Sequence, residues 1–103
     1  MVKIVTDASE IPTNGFVVID FFATWCGPCK KIAPMYEELS KRYTSITFLK
    51  VDVDESAEIT SQFDISAMPT FVFLQNGVIF NRIEGADIRG IGQTLEEMMK
   101  LSS

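Results

Sequence analysis

Cys26 and Cys29 are the only thiols in the chain, three residues apart in Trp25-Cys26-Gly27-Pro28-Cys29. On a helix, positions i and i+3 share a face, so the two sulfurs can meet. A bridge across so short a loop is a poor staple, giving ~2 kcal/mol in the chain-entropy model against ~3 for a fifteen-residue loop. A zinc site needs about four ligands, and with no His and no third Cys the chain offers at most two of the usual kind. Either the pair is two inert core thiols or it is a reactive dithiol, and the neighbouring residues favour the second. Pro28 suits a first helical turn, where a missing N–H costs nothing. Gly27 admits another backbone close by. A helix opening near Cys26 sets that sulfur at the positive end of the macrodipole, and Lys30 and Lys31 add charge of the same sign. Both effects favour the thiolate, which is the form that attacks disulfides. Cys26 is therefore expected to attack, and Cys29, one turn in and more shielded, to resolve.

A strand before the dithiol and a helix after it must hold it in place. Phe16–Phe22 is apolar on both faces, as in a central strand covered on both sides, and it carries one carboxylate, Asp20. Burial without a cationic partner raises a carboxyl pKa, and perturbed acids cluster at reactive sites. The alternative is a strand-end carboxylate that caps a turn. From Gly27 to about Arg42, Ile32, Met35, Tyr36, Leu39 and Tyr43 fall at helical spacing as a core stripe. Pro34 inside that stripe predicts a kink. Residues 46–53 predict a third strand, parallel to the second, with the helix as crossover. Within it, Lys50 either approaches Asp20 and lowers its pKa or snorkels at an edge.

The remaining elements follow from local signals. Residues 2–5 form a short strand with Val2 and Ile4 on one face, and Pro12, Asn14 and Gly15 leave room for only a turn or two after it. Ser56–Phe63 predicts a short helix with Ile59 and Phe63 inward, and Asp54 is available as its N-cap. Phe71–Leu74 and Val78–Ile83, joined through Asn76-Gly77, read as a hairpin. Asp87 to Leu101 closes the chain as a helix with Ile88, Ile91, Leu95, Met98 and Met99 buried. Gly90 and Gly92 weaken its start, which is expected nearer Gln93.

Composition bounds the function. A length of 103 residues predicts one domain, 1–103, and an apolar content of 47% with eight Phe supports a packed core. A net charge of −5 without a basic cluster disfavours nucleic-acid binding. No apolar run approaches the ~20 residues that span a bilayer. MVKIVTDASE has neither an h-region nor a cleavage site, so no signal peptide is expected. A reducing, intracellular compartment is therefore expected, where a dithiol is more often catalytic than structural.

WCGPCK after a strand with Asp20 six residues before the first Cys resembles the thioredoxin family, as do Met68-Pro69-Thr70 and the spacing of Gly77 and Gly85. The resemblance runs over essentially the full length, and the ATWCGPC context is similar to that of small cytosolic eukaryotic members. It implies an α/β thioredoxin fold: a central mixed five-stranded sheet, βαβ then ββα, flanked by helices. The short first connection departs from the longer helix usual there. By resemblance, Asp20 transfers the resolving thiol's proton and Asp54 holds the Trp25 indole. The bond before Pro69 is then cis, so that the Met68 backbone pairs with an extended substrate. A trans Pro that merely starts a strand is the alternative. Gly85 and Ala86 join Trp25, Gly27, Pro28 and Met68 in an apolar rim.

The implied activity is protein-disulfide reduction with no bound cofactor. The family's partners are an NADPH-dependent thioredoxin reductase and disulfide-containing protein substrates such as peroxiredoxins, with no nucleic acid and no membrane. The family's extra cysteines are absent, so dimers linked through another Cys are not expected, and the resemblance implies a cytoplasmic monomer. Two rivals are an isomerase- or oxidase-like enzyme of opposite redox poise, and a binding subunit that uses the rim of Trp25, Pro28, Met68 and Ala86. Gly-Pro between the cysteines resembles the reducing members.

Overall fold

The computed structural model describes residues 1–102. Among them, five strands form one sheet in the order β1-β3-β2-β4-β5. These are β1 (Val2–Ile4), β2 (Phe16–Phe22), β3 (Thr47–Asp52), β4 (Thr70–Gln75) and β5 (Val78–Glu84). β1, β3 and β2 run parallel, and β4 and β5 are antiparallel, so the mixed sheet expected from the sequence is present. Three α-helices flank it: α1 (Gly27–Arg42), α2 (Ala57–Gln62) and α3 (Ile88–Ser102). Strand alternation sorts the apolar side chains. Val18, Phe48, Phe71 and Phe73 pack with Ile32, Tyr36, Ile91, Leu95 and Met98 of α1 and α3. Val17, Ile19, Phe21, Leu49, Val51 and Val72 pack with Ile59 of α2 on the other face.

The first connection is as short as expected. A single 3-10 turn, Ala8–Glu10, is closed by a capping box in which Asp7 accepts from Ser9 N–H and Glu10 accepts from Asp7 N–H. The edge strand feeds the core through the residue just after it. Val5, not Ile4, joins the core: Val5 is fully buried, whereas Ile4 is 57% exposed. The Val5 N–H reaches Lys50 O at 3.0 Å, so the ladder continues one residue past β1 and turns Val5 under the α2 face.

Three departures concern helices. Met35 is not core but 45% exposed, because the buried line of α1 runs through Cys29, Ile32, Tyr36 and Ser40. Met35 lies beside that line and faces a groove shared with Pro34, Leu39 and Ile88. Ile88 is likewise exposed rather than buried. α3 starts at Ile88 despite its glycines, because the Asp87 carboxylate accepts the Gly90 N–H at 3.0 Å. A Cβ at position 90 would sit 2.4 Å from Asp87 Oδ2, so the glycine makes room for the cap.

The hairpin turn is as expected, with Asn76 and Gly77 both at positive φ (50° and 82°). Asn76 also ties this turn to the loop before β2, exchanging hydrogen bonds with Gly15 at 2.9 and 2.8 Å.

Candidate active site

β2 delivers the chain to the dithiol. Cys26 is the N-cap residue of α1, in extended conformation, and Gly27-Pro28 fill the first helical positions. Cys26 and Cys29 are joined as a disulfide with Cα atoms 5.3 Å apart. The Cys29 N–H donates to Cys26 Sγ at 3.2 Å, so the cap that opens the helix is itself the sulfur. Exposure does not separate the two thiols as expected: Cys26 is 6% exposed and Cys29 4%. Both sit under Phe22, Val53 and Met68, so the asymmetry is one of partners rather than shielding. Cys26 Sγ lies 3.7 Å from the Met68 carbonyl oxygen, while Cys29 lines an inward cavity of ≈ 270 Å³.

That cavity leads to Asp20. Asp20 is 2% exposed, and its Oδ1 has no hydrogen-bond partner among the described residues. Burial pushes its carboxyl up to about 7, and the charge of Lys50 pulls back against that rise. Lys50 is the residue paired with Asp20 across β2 and β3 and also lines the cavity. Its ammonium stands 4.6 Å from the Phe22 ring centroid, a cation–π arrangement. A cavity of this size has room for water between Asp20 and Cys29.

The outer wall comes from the segment that leads into β4, the strand next to β2. The Met68–Pro69 bond is cis. The Pro69 carbonyl accepts from Gly85 N–H at 2.8 Å, and Thr70 Oγ1 donates to Ala67 O. Thr70 pairs with Phe21, so the Met68 segment hangs from the strand next to the one that carries the dithiol. Trp25 is 65% exposed, and its Nε1 donates to Asp54 Oδ2 at 2.8 Å. Asp54 is thus occupied by the indole and does not cap α2, whose N-cap is Ser56. Gly27, Pro28 and Ala86 are exposed, and Gly85 is half-buried at φ 95°.

Two contributors were not read from sequence. Tyr36, a core residue, also donates its hydroxyl to Leu49 O at 2.7 Å, with Val18 O at 3.2 Å; these residues precede Lys50 and Asp20 in their strands. Arg82 donates to the Phe63 and Asp64 carbonyls ahead of the Met68 segment. Tyr36 obeyed the helical spacing and so looked purely apolar. Arg82 carries no local signal at all, since its acceptors are backbone atoms 18 and 19 residues away.

Two sulfurs that close across one helical turn beside an acid near neutrality can pass two electrons to another disulfide and take them back. That chemistry on this sheet defines a dithiol–disulfide oxidoreductase. Comparison with known proteins narrows the class. The thioredoxin family profile matches residues 3–99. Thioredoxin 1 of Plasmodium falciparum is 50% identical over 101 residues, which cover 94% of this chain and 97% of that one. A solved structure of Plasmodium falciparum thioredoxin aligns with a TM-score of 0.86 at 47% identity, covering 92% and 97% of the two chains. A second aligns at 0.88 and 36% identity over 93% and 94%; it is described as the structural basis of the thiol resolving mechanism in yeast mitochondrial 1-Cys peroxiredoxin via glutathione/thioredoxin systems. The chain belongs to the thioredoxin family, and its activity is that of a dithiol–disulfide reductase.

No helix among the described residues is long and apolar enough to cross a membrane.

Proposed function

We propose that the chain acts as one domain that reduces disulfides in other proteins, with Cys26 as nucleophile, Cys29 as resolving thiol and Asp20 as proton acceptor. In the dithiol state, Cys26 thiolate attacks one sulfur of a substrate disulfide. A Cys26–substrate bond forms, the substrate bond breaks, and the first substrate sulfur leaves as a thiolate that takes a proton from water. Asp20 then removes the Cys29 proton, directly or through water. Cys29 thiolate attacks Cys26 Sγ, the mixed disulfide breaks, and the second substrate thiolate leaves. Two electrons reach the substrate, and the Cys26–Cys29 bond is restored.

The observation that carries this reading is the cavity shared by Cys29 and the unpartnered Asp20 oxygen, with Cys26 turned instead to the Met68 carbonyl. Lys50 opposes the rise in the Asp20 pKa and holds that acid near the working pH. Trp25, Gly27, Pro28, Met68, Pro69, Gly85 and Ala86 form the docking rim, and an extended substrate pairs with the Met68 backbone. Asp54 fixes the Trp25 indole. Substrates are disulfide-containing proteins of the peroxiredoxin kind, electrons come from an NADPH-dependent thioredoxin reductase, and the working compartment is the cytoplasm.

Trapping tests the roles. Cys29→Ser should accumulate mixed disulfides with substrate, resolvable on non-reducing gels, whereas Cys26→Ser should trap none. Equal trapping by the two variants would reverse or remove the assignment.

A further inference from the structure

The segment that carries Met68 begins at the end of α2, and the way α2 ends is unusual in its residue. Phe63 is the C-cap. The next residue, Asp64, takes the left-handed conformation at φ 54°, a place that glycine usually fills. Asp64 N–H bonds Ser61 O and Ile65 N–H bonds Thr60 O, which is the paired pattern of a Schellman ending. Those two bonds satisfy the carbonyls of Thr60 and Ser61. They leave the Phe63 and Asp64 carbonyls, at the negative end of the helix, to find donors elsewhere.

Arg82 supplies both. It lies on β5 opposite Val72, whose side chain packs on the α2 face. From there Nη1 donates to Phe63 O at 2.5 Å and Nη2 to Asp64 O at 2.8 Å, while Glu84 stands 3.4 Å from Nη2. The guanidinium is a rigid fork that fixes two acceptors in one plane, whereas a lysine's rotatable ammonium holds them without that set geometry. Gly85, the residue just after β5, grips the other end of the same segment through its N–H on Pro69 O. β5 and the glycine that follows it therefore clamp residues 63–69 at both ends, and Met68, within that span, faces Cys26.

We propose that Arg82 is a positioning residue for substrate docking: by forking the Phe63 and Asp64 carbonyls it sets the Met68 backbone where an extended substrate can pair with it beside Cys26. The proposal rests on the docking role given to Met68 above. A small aromatic disulfide needs no strand pairing and is indifferent to Arg82. A peptide disulfide needs it.

The test compares the full-length protein with Arg82→Met and Arg82→Lys on three probes. These are a small aromatic disulfide, a disulfide-linked peptide, and the same peptide N-methylated at the residue beside its cystine. With the unaltered protein, N-methylation should raise KM about tenfold, the size of effect that ~1.4 kcal/mol of lost pairing gives. In Arg82→Met that preference should shrink to about twofold because KM for the unmethylated peptide rises, with kcat and the rate on the small disulfide unchanged. Arg82→Lys keeps the charge without the fork and should fall between, which also serves if Arg82→Met folds poorly. If the unaltered protein shows no preference, the docking role of Met68 fails and the proposal with it. If the unaltered protein shows the preference and both variants keep it in full, Met68 docks substrate without Arg82 and the proposal alone is overturned. Equal losses on the small disulfide and the peptide would make Arg82 merely structural and overturn it too.

Discussion

At the scale of single residues, Asp20 has the largest measurable consequence. Its ordinary pKa is 3.8 and burial carries it to about 7 in the folded protein. Between those values the native state holds a proton that the unfolded chain releases, so stability falls as pH rises through that window. The gap corresponds to about 4 kcal/mol, present in full below the lower value and lost above the upper one. Asp20→Asn should therefore be more stable than the parent at pH 8 by up to about that amount, and gain nothing at pH 3.5. Denaturant melts at the two pH values check this, and a gain that does not change with pH would mean that charge burial is not its cause. Kinetically, the same substitution should slow resolution by Cys29 more than attack by Cys26, as read from single-turnover decay of a mixed disulfide. Equal slowing of both steps would remove the proton-transfer role.

At the scale of elements, the sequence announced whatever rests on local pattern. The apolar run of β2, the Asn76-Gly77 turn and the Cys26-to-Cys29 spacing each state their own geometry, and the structure follows them. It was less legible where a residue's surroundings come from distant chain. Ile4 and Val5 could not be sorted without knowing that the ladder on β3 extends to Lys50. Met35 and Ile88 obeyed helical spacing but meet each other at a groove, outside the packed interior. Asp54 could serve either the indole or α2, and only the fold brings Trp25 near enough to claim it. The start of α3 runs against glycine propensity because the Asp87 cap outweighs it. That reading makes a prediction: Asp87→Ala should cost about 1 kcal/mol, a fall in Tm of roughly 4–8 °C for a domain near this size, with fraying at the α3 N-terminus. Thermal melts and amide exchange at residues 88–92 check it, and an unchanged Tm would show that the helix start is held by packing alone.

At the scale of the whole molecule, redox state and folding are linked. The disulfide closes across the first turn of α1, whose N-cap is one of its own sulfurs. A fold that favours the closed pair must make the open pair a better reductant by the same free energy, ~1.4 kcal/mol for each ~30 mV. The oxidised protein should thus melt above the reduced one, and the Cys26–Cys29 potential should lie below the glutathione pool. Equilibration against glutathione, read through the fluorescence of Trp25, measures the potential. A value among the oxidising members of the class would turn the assignment toward an isomerase.

The pairing of Phe21 with Thr70 has a consequence for how this chain tolerates changes in length. The dithiol lies just beyond one strand of that pair and Met68 just before the other, so the two halves of the site keep their alignment through the β2–β4 register, of which this is the last rung. A slip of one residue there would shift Met68 by roughly 3.4 Å and reverse every side chain of β4 between the faces, leaving a sheet with no working site. The far end of the same two strands is no freer, because Gly15 and Asn76 tie it with two hydrogen bonds and the Asn76-Gly77 turn sets the phase of β5, which carries Arg82.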